Sequence, residues 1–71
     1  MDTNHKYIGK DKALETALAK AGLVKSQITL EKVKLDTDDG VKVYDVEFYV
    51  GNVEYDFEID AVKGTVLKFE K

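Results

Sequence analysis

Six carboxylates fall at alternate positions along two neighbouring stretches of this chain: Asp45 and Glu47 in the first, Glu54, Asp56, Glu58 and Asp60 in the second. Paired carboxylates perform acid–base catalysis when their surroundings push their pKa values apart, as in glycoside hydrolysis. That chemistry needs a concave, partly buried site. Their alternation with apolar residues predicts instead the solvated outer face of an antiparallel sheet, flat and without a recess. A second acidic run, Asp36-Thr37-Asp38-Asp39-Gly40, suggests calcium, and Asp36 to Glu47 has the twelve-residue span of an EF-hand loop. Its interior fails, because the sixth position, where that loop needs glycine, is Val41, with Gly40 one place early. Aspartate and glycine are also the default turn residues, so the run reads as a hairpin loop. His5 stands alone in a polar N-terminal stretch, whereas a stable metal site takes three or four ligands. Ser26 has no base near it in sequence, and cysteine is absent. The five glycines stand singly, so there is no phosphate-binding loop. The expectation is no catalytic residue, no metal ligand and no cofactor.

The elements that carry these residues follow from periodicity. Ala13, Leu14, Ala17, Leu18 and Ala21 share one face of a helix over 10–21. Gly9 is its expected N-cap, Asp11 sits in the first turn where the dipole favours an acid, and Gly22 with Leu23 can close the C-terminus against Leu18. Val53, Tyr55, Phe57 and Ile59 alternate with acids, and Tyr44, Val46, Phe48 and Val50 do the same. Gly51-Asn52 between the two runs predicts a two-residue turn. That turn pairs Val50 with Val53, Phe48 with Tyr55, Val46 with Phe57 and Tyr44 with Ile59, an apolar face for the helix. It also sets Glu47 opposite Asp56 and Asp45 opposite Glu58, which is destabilising. Lys32 flanking Asp45 and Lys68 flanking Glu58 are expected to offset this. The last strand, Thr65 to Glu70, is expected to pair Ala61 with Thr65, Ile59 with Leu67 and Phe57 with Phe69. In the first strand Ile28 and Leu30 share one phase, Val33 and Leu35 the other, predicting a β-bulge near Glu31 and Lys32. The fold class is therefore α+β: one N-terminal helix packed on a four-stranded antiparallel meander, α-β-β-β-β, in sheet order 1-2-3-4. Residues 1–7 are expected to form a flexible tail and 8–71 a single domain.

Composition narrows the partners. With eleven lysines, fourteen acids and no arginine, the chain carries a net charge of −3. It lacks the basic patch and the arginine fork that nucleic acids favour, so no nucleic-acid partner is expected. No stretch approaches the roughly 20 apolar residues of a membrane span. Met1 to Tyr7 is polar and has no apolar run of the kind a signal peptide needs. For a protein partner, the expected contacts are the outer sheet face and the edge of the last strand, through Val43, Tyr49, Glu54, Val66 and Lys68. Tyr49, opposite Glu54 on the polar face, is the large amphipathic group there.

Ala17-Leu18-Ala19-Lys20-Ala21-Gly22 is followed by Leu35-Asp36-Thr37-Asp38-Asp39-Gly40 and Tyr44-Asp45-Val46-Glu47-Phe48. Tyr55-Asp56-Phe57-Glu58-Ile59-Asp60-Ala61 and Lys63-Gly64-Thr65-Val66 then complete the series. In this order and at these spacings, over Ile8 to Glu70, the chain resembles the PepSY domain of peptidase propeptides and a spore-germination protein. The resemblance implies an extracytoplasmic bacterial module, secreted or in the cell envelope, with no universal catalytic residues. It implies a non-catalytic binding or regulatory role, modulating or inhibiting a peptidase. The alternative is a structural module of a cell-surface protein or lipoprotein that makes domain contacts without regulating anything.

Overall fold

The computed structural model describes residues 6–71; His5 and most of the expected tail lie outside the described residues. Helix α1 spans Lys10–Ala21 and buries Ala13, Leu14, Ala17 and Leu18. At its start, the Gly9 N–H donates to the Tyr44 hydroxyl at 3.2 Å. At its end, Gly22 adopts φ 74, a left-handed conformation that costs glycine nothing. There the Gly22 N–H donates to Ala19 O and the Leu23 N–H to Leu18 O, at 3.2 and 2.9 Å. These two bonds satisfy carbonyls that the helix end would otherwise leave open.

A single 3₁₀ turn, Lys25–Gln27, leads into strands β1 (Thr29–Asp38), β2 (Val41–Val50), β3 (Val53–Asp60) and β4 (Val66–Glu70). They form one antiparallel sheet in the order β1-β2-β3-β4. The β2–β3 register is the expected one, from Val50 opposite Val53 to Tyr44 opposite Ile59. Phe48 and Phe57 are buried beneath α1, with ring centroids 5.6 Å apart; Tyr55 stacks on Phe48 at 5.4 Å and Phe69 on Phe57 at 4.5 Å. Burial of these rings and of Ile59, Val46 and Ala61 is the principal force on the sheet.

Three local expectations are corrected. Ala61 does not pair with Thr65, because its N–H donates to Lys42 O and its carbonyl accepts from the Ile8 N–H, at 2.9 and 2.8 Å. The turn therefore closes one residue earlier, with the Asp60 N–H on Thr65 O. Ile59 then meets Val66, not Leu67, and a bulge at Leu67 restores the expected Phe57–Phe69 pair. In β1 the expected bulge lies between Thr29 and Lys32; Leu30 there adopts φ 55 and is 76% exposed. Only Asp39-Gly40 forms the β1–β2 turn, with positive φ at both residues, and Asp38 pairs with Val41. Aspartate and glycine tolerate that conformation, the requirement of a type I′ hairpin. Tyr7 packs half-buried against the core.

Candidate functional site

The outer face is built by the alternate residues of all four strands. Its rows follow from the pairing: Lys32, Glu47, Asp56 and Glu70 in one, Lys34, Asp45, Glu58 and Lys68 in the next. The expected lysine beside Asp45 is thus Lys34, while Lys32 stands beside Glu47 with Nζ 3.9 Å from Oε1. The two-residue Asp39-Gly40 turn is the reason, since it sets Asp38 opposite Val41 and carries that register back along β1 to Lys32 opposite Glu47. Lys68 lies opposite Glu58 as expected. The face is not flat: these eight side chains line an open groove of about 350 Å³. Strand twist gives such a sheet a saddle shape, concave along one diagonal.

Acids occupy the middle of this groove, with Lys32 and Lys34 on its β1 side and Lys68 beside Glu70 on its β4 side. Partial burial and the neighbouring Asp36 carboxyl push the Asp45 carboxyl above the ordinary carboxylate value. Glu58 is raised by partial burial and by the Asp38 carboxyl. At the far end, Glu54 is raised by sharing a hydrogen bond with Glu47, then by desolvation and the charge of Asp56. The charge of Glu54 in turn raises the Tyr49 phenol. Carboxylate oxygens of Glu47, Glu54 and Asp56 lie within 4.8 Å of one another. Each could offer one oxygen to a cation, fewer in total than the roughly six to eight that calcium takes. Asp36 and Asp60 differ from these: the Thr37 N–H lowers Asp36, and the Lys63 and Val62 N–H groups lower Asp60. Asp60 Oδ1 accepts both of those donors, at 2.8 and 2.9 Å, and so fixes the β3–β4 turn.

Of the residues expected to meet a partner, the structure keeps Tyr49, Glu54 and Lys68 on or beside this face. Val43 is a correction. It is only 1% exposed, because it lies in a central strand with Asp36 and Asp60 opposite it on its two sides. Cross-strand neighbours at that spacing remove most of a small side chain's surface. Val66 is a second correction: opposite Ile59, it is half-buried against the core. The sequence reading missed Asp36 and Asp38 as members of the sheet, having placed them in a loop. The Asp39-Gly40 dipeptide is the signal that could have found them, since it marks a two-residue turn.

The family model for the peptidase propeptide and YPEB domain matches residues 7–70. The chain belongs to this family. PepSY domains are propeptide-like and regulatory modules, generally non-catalytic and typically extracytoplasmic. The uncharacterized protein Spy1430 of Streptococcus pyogenes is 33% identical over 61 residues, which are 86% of this chain and 47% of that protein. The chain thus spans about half the length of this curated relative. No solved structure matches the chain. Among the described residues, no helix is long and apolar enough to cross a membrane.

Proposed function

We propose that this PepSY domain is a non-catalytic extracytoplasmic module that docks on a peptidase through the outer groove of its sheet and restrains it. The observation that carries this reading is the placement of Asp45 opposite Glu58 and Glu47 opposite Asp56 in one concave surface. Like charges directly opposite cost the free domain stability. A lysine or arginine entering the groove from a partner relieves that cost, so the face favours a basic surface. Tyr49 at the end of the groove supplies an amphipathic contact of the sort that anchors interfaces. Lys34 and Lys68 on its sides bias the partner's orientation, because a basic group is accepted only between them.

The test is calorimetry of the domain with a metallopeptidase catalytic domain, at low and high salt, with inhibition measured in parallel. Binding should weaken as salt rises, and Glu47→Lys with Glu58→Lys should weaken it about tenfold or more, mainly through slower association. Salt-independent binding, unaffected by the double reversal, would assign the contact to another surface. A second reading is the structural module of a longer cell-surface protein or lipoprotein. It is supported by the relative, in which the match covers 47% of the length and leaves room for a second unit. Failure to bind or inhibit any peptidase, together with tight docking to a neighbouring segment of the same protein, would favour it.

A further inference from the structure

We infer that β1 is a self-association strand: two copies of this chain join through it, antiparallel about a two-fold axis at Leu35, into one continuous sheet. The two edges of the sheet are not equivalent. β4 has five residues and is interrupted by the bulge at Leu67. β1 runs from Lys32 to Asp38 without interruption, and every residue of it except Val33 is exposed. The backbone groups that it leaves free among the described residues can be identified. Lys42 O accepts from the Ala61 N–H, so Lys42 turns its peptide groups toward the β3 side and Val43 turns toward β1. Asp36, opposite Val43, therefore turns toward β2, and by alternation Val33, Leu35 and Thr37 present an N–H and a C=O to the open edge.

An open edge accepts any strand that fits it. The fit here is to itself. On the outer face, β1 reads Lys32, Lys34, Asp36, Asp38, with two cations followed by two anions. Antiparallel pairing about Leu35 places Lys34 opposite the second copy's Asp36 and Lys32 opposite its Asp38, and the symmetry repeats both pairs. The same register brings together the residues whose peptide groups face outward: Leu35 with Leu35, and Val33 with Thr37. On the helix side it covers Leu35, which is 38% exposed in the single chain although it lies opposite the buried Tyr44. Two contacts must give way: Asp36 Oδ1, which holds the Thr37 N–H at 2.8 Å, gives up that donor to the partner carbonyl and turns to Lys34 of the second copy, and Lys32 Nζ, 3.9 Å from Glu47 Oε1, turns to its Asp38. The second copy reaches only the Lys32 and Lys34 side of each outer groove and leaves its acidic middle open, so the arrangement does not rest on the peptidase reading.

Sedimentation equilibrium of the chain between about 1 μM and 1 mM tests the inference. The mean mass should rise from 8.0 kDa toward twice that value. Asp36→Lys with Asp38→Lys, and separately Lys32→Asp with Lys34→Asp, should each weaken self-association about tenfold or more. An equimolar mixture of the two variants should form a mixed dimer, because each charge then meets its opposite. A mass fixed at 8.0 kDa up to 1 mM overturns the inference. So does a dimer whose constant neither double variant changes, which would use another surface. Should the all-acidic variant fail to fold by circular dichroism, the unsubstituted series and the all-lysine variant decide the matter by themselves.

Discussion

Replacing Phe57 by alanine removes the centre of the aromatic ladder. Its ring is 3% exposed, stacked on Phe69 at 4.5 Å and tilted against Phe48 at 5.6 Å. Truncating a buried phenylalanine costs about 3–5 kcal/mol, from lost transfer energy and the cavity that remains. The upper part of that range applies here, because Phe48 and Phe69 are held by neighbouring strands and cannot close the gap without breaking ladder bonds. A domain of 71 residues has about 4–10 kcal/mol of stability in total. The variant should therefore be near its folding limit, with a melting temperature lower by at least about 12 °C. Tyr55→Ala, at a half-buried position in the same ladder, should cost clearly less. Urea unfolding followed by circular dichroism measures both. The midpoint should fall while the slope stays constant, since the same surface is exposed on unfolding. A loss below about 1 kcal/mol at Phe57 would show that the ring does not fill the space between helix and sheet.

Acid titration should first stabilise and then destabilise the domain. Asp45, Glu54 and Glu58 are raised above their ordinary values of 3.8, 4.5 and 4.5, so their contribution is fully present below those values and is lost as pH rises through the folded ones. Asp36 and Asp60 are lowered from 3.8, so theirs is present above that value and lost as pH falls through the folded ones. The melting temperature should rise as pH falls from neutrality toward the ordinary carboxylate values and fall again below them; a steady fall from neutrality would contradict the crowding of the groove. Gly51→Ala should cost about 1–2 kcal/mol in thermal unfolding, because φ is 60 there while the added methyl meets nothing within 4 Å. A neutral result would mean that the turn relaxes. Calorimetry with calcium should show nothing tighter than about millimolar, since Asp36 and Asp38 are held in a strand and only Asp39-Gly40 turns. A micromolar constant abolished by Asp38→Asn would refute this.

The parts of the fold that were legible in the sequence are those fixed by local chemistry. Gly51-Asn52 sets the β2–β3 register because a two-residue turn leaves no freedom in pairing. Gly22 ends α1 because only glycine enters that conformation freely. The acidic rows opposite each other follow from the same turn. What could not be read depends on contacts distant in sequence. Ala61 is withdrawn from its expected pair by Lys42 and Ile8, and nothing near Ala61 announces either. The phase change in β1 was visible as a change in apolar spacing, but which residue bulges depends on what Tyr49 and Glu47 oppose. The burial of Val43 is set by its two flanking strands, and the concavity of the outer face by twist. Neither leaves a mark in the alternation of residue types.

The most direct test of the proposed docking role is a map of backbone amide shifts in the domain as a metallopeptidase catalytic domain is added. Shifts should concentrate on outward residues of β2 and β3, around Asp45, Glu47, Tyr49, Glu54, Asp56 and Glu58, and extend to Lys68 on β4. Shifts confined to the exposed surface of α1, around Glu15 and Lys20, would contradict docking through the groove.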